Sequence, residues 1–124
     1  MNVITVHQPF AFDILTGSKI YETRSWKTNI RGKIAIHASK NKTYVKKLYG
    51  ENSIDNFTYG AIIGTTNLID CIPVEKIRST LSLEEFLNGD YSDGRYAWKT
   101  KNPRLFLEPV YIKGKQGWWN WDSD

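Results

Sequence analysis

The run Tyr59–Pro73, YGAIIGTTNLIDCIP, constrains this chain more than any other stretch. It is the longest strand-rich run, so the fold has to be built on a sheet. Its two glycines, Gly60 and Gly64, suit a bulged or sharply bent strand of the kind that rounds a barrel corner. Cys71, flanked by Ile69 and Ile72, reads as a small buried hydrophobe. No histidine adjoins it to make a nucleophile. As the only cysteine it excludes an internal disulfide and a cysteine-based zinc site within one chain.

Shorter strands flank that run. Asn2–Val6 is β-branched, and Lys33–Ser39 alternates Ile34, Ile36 and Ala38 with Ala35, His37 and Ser39. Gly94–Thr100 and Arg104–Ile112 read as two more strands joined by Lys101-Asn102-Pro103, with Pro109 marking an edge or bulge. Three helices are expected between them. The first has Pro9 in its opening turn, an apolar face of Phe10, Ala11, Ile14 and Leu15, and Gly17 as its stop. The second runs from an Asn41 cap to Tyr49, with Tyr44, Val45, Leu48 and Tyr49 as its apolar stripe and Lys42, Lys46 and Lys47 outward, a basic face either for phosphates or simply wet. The third spans Ser82–Leu87, where Ser82 and Glu85 form a capping box and Leu81 with Phe86 a hydrophobic staple. Residues 51–58 read as a polar loop. With 124 residues, no repeat and no linker, the expectation is a single domain over 1–124, a small α+β barrel with flanking short helices.

Chemistry concentrates between His7 and Trp26. Lys19–Arg24 has period-two character, which puts Ile20, Glu22 and Arg24 on one side. Glu22 and Arg24 are then neighbours, either as an exposed ion pair worth little or as a partly buried pair that orients donors toward a ligand. The wider charge pattern is lopsided. Residues 1–50 hold nine Lys/Arg against two carboxylates, giving +7, while the rest carries −3. A basic half suggests either a polyanion partner or a solvated lysine surface. No basic leader or long apolar run opens the sequence, so the expectation is no membrane contact and a cytoplasmic location.

Several chemistries are excluded by their missing motifs: Walker loops, G-x-G-x-x-G after a strand, G-x-S-x-G and H-E-x-x-H. The two histidines, thirty residues apart, make no metal site, and His37 reads as a hydrogen-bonded structural residue. Neither a metal nor a cofactor is expected. What remains is a set of basic, amide and aromatic side chains. Gln8, Lys19, Arg24, Trp26 and Arg31 come from the first half, and Trp98, Lys113, Gln116 and Trp118 from the second. Basic groups pair with phosphates and aromatics stack on unpaired bases, a combination suited to single-stranded or flipped-out nucleic acid.

The order of motifs resembles that of the ASCH (activating signal cointegrator homology) domain family, within the PUA-like superfamily. The matching pieces begin with His7-Gln8-Pro9-Phe10, Gly17-x-Lys19-x-x-Glu22-x-Arg24-x-Trp26 and Arg31-Gly32 leading to Ile36-His37-Ala38. They continue with Gly60-x-x-x-Gly64 leading to Asp70-Cys71, Tyr96-x-Trp98, Asn102-Pro103, Pro109-Val110 and Lys113-Gly114-Lys115-Gln116-Gly117-Trp118-Trp119. Phe10 stands where the family usually has tryptophan, which keeps an aromatic and loses an indole N–H. The resemblance implies a PUA-like β-barrel and a cleft bordered by the Gln-Pro helix and the G-x-K-x-x-E-x-R strand. It also implies nucleic-acid binding, with RNA the usual proposal. Some small relatives hydrolyse the amide of N4-acetylcytidine with a lysine, a threonine and a glutamate. The shared Asp-Ile-Leu-x-Gly-x-Lys run puts Lys19 at that lysine, while Glu22 falls where the threonine would be.

Three expectations follow. The leading one is a module that binds RNA, single-stranded nucleic acid or a nucleotide. In it Lys19, Arg24 and Arg31 contact phosphates or base edges, Trp26, Trp98 or Trp118 stack, and Glu22 orients Arg24 or accepts from a base amino group. The alternative is an amidohydrolase-type or other enzyme acting on a modified nucleobase, with Lys19 and Glu22 catalytic. The third is a protein-interaction adaptor that uses the tryptophan-rich tail.

Overall fold

The computed structural model describes residues 1–122, so the last two positions of the expected domain lie outside the described residues. Strand β1 (Asn2–Val6) leads into helix α1 (Phe10–Thr16), then β2 (Tyr21–Arg24), β3 (Gly32–Ala38) and α2 (Thr43–Tyr49). After them come the long β4 (Ala61–Pro73), α3 (Leu83–Leu87), β5 (Tyr96–Tyr111) and the short β6 (Trp119–Asn120). The strands form one six-stranded mixed sheet in the order β2-β5-β4-β3-β1-β6. The β1–β3 pair is parallel and the other pairs are antiparallel.

The sheet is open, which corrects the expected barrel. Closure would require the two edge strands to meet in a staggered ladder. Here the edges are β2, of four residues, and β6, of two, and each is bonded only to its inner neighbour. The bends anticipated at the glycines are present as register shifts in β4, between Ile62 and Gly64 and at two points further along. The expected strands Gly94–Thr100 and Arg104–Ile112 are one strand, β5. Its ladder skips from Lys101 to Arg104, so the missing N–H of Pro103 removes no paired bond, and Asn102 absorbs the corner at φ 55°.

Helix α1 follows its pattern closely. Ala11, Ile14 and Leu15 are buried, and Gly17 ends the helix at φ 83°, a left-handed conformation that a residue with Cβ rarely adopts. Pro9 is the N-cap residue rather than part of the first turn, and the Gln8–Pro9 bond is cis. The helix lays its face on Ile4, Val6, Ile34, Ile36 and Trp98, the principal core. Each fully buried aliphatic side chain there contributes about 1.5–3 kcal/mol. The opposite sheet face carries a smaller cluster of Val3, Ala35, Ile62 and Trp119, so the tail does pack back on the body.

Helix α2 departs from expectation. Of its intended stripe only Val45 is buried, while Tyr44, Leu48 and Tyr49 are exposed. The N-cap is Lys42 rather than the expected Asn41, which stands one residue earlier with its Oδ1 accepting from the Thr43 N–H at 2.8 Å. Residues Glu51–Asn56 form a 3-10 turn rather than an irregular loop.

Between β4 and β5 the chain makes an excursion over residues 74–95 that folds back onto β2. Ser82 caps α3 by accepting from the Glu85 N–H at 3.1 Å. The reciprocal half of the box is missing because the Glu85 carboxylate turns inward, accepting from the Ile20 N–H at 2.8 Å. Phe86 stacks on Tyr91 with ring centroids 5.9 Å apart. Cys71 is only half-buried, against the edge of the principal core. No helix among the described residues is long and apolar enough to cross a membrane.

Candidate functional site

A cleft of about 460 Å³ opens where α1, β2, α2 and the excursion meet. Lys19, Glu22 and Arg24 line one side, His7 and Tyr44 the rim, and Leu87 to Asp90 the far wall. The G-x-K-x-x-E-x-R segment therefore forms a wall, because Gly17 ends α1 in time for the chain to turn into β2.

Lys19 is 3% exposed, and its Nζ has no hydrogen-bond partner among the described residues. It lies 3.7 Å from Glu85 Oε2, too far for a hydrogen bond, and 6.0 Å from the centre of the Phe10 ring. Glu85 offsets the charge of the ammonium but leaves its three donors unused. An unsatisfied buried donor costs about 1–3 kcal/mol, which a ligand acceptor in the cleft would recover. Glu85 itself is held by Ile20 N–H and, at 3.4 Å, by the Tyr91 hydroxyl. Burial and the neighbouring Glu85 charge push Tyr91 well above the ordinary tyrosine range, so that hydroxyl stays a donor.

Arg24 is differently placed. Its Nε donates to Glu22 Oε2 at 2.9 Å and its Nη2 to the Thr5 carbonyl at 2.6 Å, and its guanidinium lies 5.8 Å from the Trp98 ring. The pair with Glu22 is partly buried, at 23% and 14% side-chain exposure. It is therefore the oriented pair rather than a free surface one. Across the cleft, Arg95 donates to the carbonyls of Asp90 and Thr23, tying the excursion to β2.

The rim carries an aromatic pair. His7 stacks on Tyr44 at 5.4 Å and 26°, and its Nδ1 is hydrogen-bonded to Ser39 Oγ at 2.6 Å. Desolvation, reinforced by the positive Arg24, holds His7 below the ordinary 6.5 despite the opposing charge of Glu22. The imidazole is therefore neutral near pH 7.

Among the anticipated residues, Lys19, Glu22 and Arg24 come together in the cleft. Gln8 does not line it: 1% exposed, it borders a separate hollow with Phe12 and Phe57, and both ends of its amide are used, Oε1 accepting from Phe12 N–H and Nε2 donating to the Thr58 carbonyl. Trp98 offers no stacking face, which corrects that expectation. It is 1% exposed, parallel to Trp118 at 5.3 Å and edge-on to Trp26 at 4.8 Å. It sits beside Glu22 in the β2–β5 ladder and packs into the principal core. Trp26 and Trp118 pack on it, and none of the three lines the cleft. Arg31 is exposed and donates to the Thr28 and Ile30 carbonyls. Lys113 and Gln116 line a second groove. His37 is structural as expected, its Nε2 donating to the Ile112 carbonyl at 2.8 Å and its Nδ1 bonded to the Thr5 hydroxyl.

Sequence reasoning missed His7, Tyr44, Glu85 and Arg95 as cleft residues or their partners. Tyr44 and Leu48 share one helical face with Lys47, yet the pattern assigns the two apolar residues to the core and leaves Lys47 on a face open to phosphates or to solvent. Glu85 carried a signal for capping only.

A family profile described as the ASCH domain matches residues 4–110. Activating signal cointegrator 1 of Homo sapiens is 30% identical over 134 aligned residues, which cover 97% of this chain and 22% of that protein. The Mus musculus protein of the same name is 28% identical with the same coverage. The chain thus spans about a fifth of the length of these relatives. Among solved structures, the ASCH protein of Zymomonas mobilis superposes with a TM-score of 0.59 at 19% identity, covering 90% of this chain and 73% of that one. A serine-to-alanine variant of it gives 0.57. At such identity the likeness is one of fold.

Proposed function

This chain belongs to the ASCH domain family, and from that premise we propose that its cleft binds a nucleotide unit of single-stranded nucleic acid, with RNA the first candidate. One observation carries the reading: the buried Lys19 ammonium, with no hydrogen-bond partner among the described residues, in the wall of an open cleft. A phosphate oxygen or base carbonyl in the cleft accepts from it. The stacked His7 and Tyr44 rings at the rim supply the aromatic surface expected of the tryptophans, and Glu22 holds Arg24 toward the ligand.

The test is titration of nucleoside monophosphates and short RNA oligomers into the protein, followed by fluorescence anisotropy or NMR at two salt concentrations. Lys19→Met is expected to weaken binding at least tenfold, since a hydrogen bond to a charged group contributes about 1.5–3 kcal/mol. Folded wild-type protein that gives no saturable binding at low salt overturns the reading.

A second reading, turnover of a modified nucleobase, is favoured by the approach of Lys19 to Glu85 at 3.7 Å, an ammonium–carboxylate pair beside the cleft. Glu22, the carboxylate anticipated for that role, is bonded to Arg24 instead. Incubation with N4-acetylcytidine decides it. No product from the wild type, or equal product from Lys19→Ala, removes this reading and leaves the binding module.

A further inference from the structure

On the far side of the His7–Ser39 hydrogen bond lies the second groove, about 800 Å³ in volume. Thr5 lines both hollows, and Ser39, which bonds to cleft residue His7, lines the second. Lys40, Lys113 and Lys115 border this groove, and among the described residues no carboxylate lines it. None of the three lysines is in an ion pair among the described residues. The loop carrying Lys113 and Lys115 is set in place rather than loose against the sheet. A Cβ on Gly114 would fall 2.6 Å from the His37 ring, so only glycine lets the loop lie on that buried histidine. Tyr111, 71% exposed, adds an open aromatic face to the same rim.

The two hollows use cations differently. In the cleft Arg24 and Arg95 are locked by bonds to the protein, which suits the reading of one unit. In the groove three lysines stand exposed as point charges on flexible stems, which suits phosphate without reading bases. We propose that the bound ligand is an extended single-stranded polynucleotide that continues from the cleft over the His7–Ser39 ridge into this groove. Lys40, Lys113 and Lys115 neutralise the phosphates flanking the unit held by Lys19. This rests on the reading of the cleft and extends it from a nucleotide to a strand.

The experiment compares a mononucleotide, a hexanucleotide as RNA and as DNA, and inorganic polyphosphate. Each is titrated into the full chain and into the double variant Lys113→Ala/Lys115→Ala at several salt concentrations. The hexanucleotide is expected to bind at least tenfold tighter than the mononucleotide, and the double variant to reduce that ratio at least fivefold. The salt dependence of hexanucleotide binding should flatten by about 1.4 in log–log slope, from about 0.7 per lost single-strand phosphate contact. Either sugar satisfies the proposal, and the RNA–DNA difference identifies the source. Equal affinity for mononucleotide and hexanucleotide, or a ratio unchanged in the double variant, overturns the strand path while the cleft reading stands. Polyphosphate that binds as tightly as the hexanucleotide reduces the groove to a charged patch and also overturns it. Hexanucleotide binding that Lys19→Met leaves unaltered sinks the cleft reading and the continuous path with it.

Discussion

The tryptophan cluster and the Lys19 cleft adjoin through Arg24, whose guanidinium lies 5.8 Å from the Trp98 ring, yet they divide the molecule's chemistry unevenly. In the cluster the Trp98 and Trp118 indoles are both hydrogen-bonded. Trp98 is sealed between its neighbours, its Nε1–H donating to the Trp26 carbonyl at 3.3 Å, while the Trp118 indole donates to Thr28 Oγ1 at 3.1 Å. In the cleft the buried Lys19 ammonium has no hydrogen-bond partner among the described residues. The aromatic residues most conspicuous in the sequence thus build a platform, while Lys19, which the G-x-K-x-x-E-x-R motif singles out, is the buried donor without a partner among the described residues. Satisfied polar groups belong to stability, and unsatisfied buried ones to function.

Trp98→Ala breaks the comparison on its stable side and carries the largest expected effect. Removing a fully buried indole that joins Trp26, Trp118 and the core costs ~3–5 kcal/mol, read by urea denaturation. Any loss of ligand affinity should track the unfolded fraction and vanish when corrected for it. Glu85→Ala follows on the other side, costing about 3 kcal/mol. It leaves Lys19 buried without its counter-ion and the Ile20 N–H without an acceptor. Lys19→Met should cost less than half as much, because Glu85 keeps the Ile20 and Tyr91 donors, yet it should weaken nucleotide binding at least tenfold. A Lys19→Met protein as unstable as Glu85→Ala would show the lysine to be structural, and the contrast between the two regions would collapse.

How much of this was legible follows the sequence distance each feature spans. Helix α1 with its glycine stop, the Glu22–Arg24 pair and the Ser82 cap depend on neighbours a few residues away, where period and capping chemistry decide the outcome. The Lys19–Glu85 approach joins residues more than sixty positions apart, as does the Ile20–Glu85 bond, and nothing local to Glu85 distinguishes an inward carboxylate from a capping one. The open sheet was illegible for the same reason. Closure depends on whether β2 and β6 meet, and both are too short for their patterns to show what they pair with. The misread face of α2 is of another kind: Tyr44 and Leu48 were seen as apolar and assigned to the core, although a cleft rim uses the same residue types.

Acidity probes the comparison more gently. His7 in the cleft and His37 beneath the second groove are both held below 6.5 by burial. The unfolded chain therefore binds protons at a pH where the folded chain does not. Stability is full above the unfolded value and is lost as pH falls through the depressed folded values. For His37, 2% exposed, the slope in that window approaches 1.4 kcal/mol per pH unit. The exposed His7 adds less. Asp13, raised by burial, acts in the opposite direction but nearer its ordinary 3.8. A melting temperature that falls between pH 7 and 5, and falls less steeply in His37→Gln, is the expected result.

The smallest effect is expected of Arg31→Ala, and it sharpens the comparison because Arg31 has the residue type of a ligand contact without the placement. Its guanidinium is spent on the Thr28 and Ile30 carbonyls at 3.0 and 2.9 Å, on the loop that also receives the Trp118 indole. It lies outside both hollows. Loss of one exposed and one partly buried bond to backbone carbonyls should shift stability by no more than about 0.5 kcal/mol. Nucleotide affinity should change less than threefold, through net charge alone, and the change should disappear at high salt. A tenfold loss that persists at high salt would instead place a direct contact on the loop that borders the tryptophan cluster. It would move the binding surface away from Lys19 and reverse the assignment of the two regions.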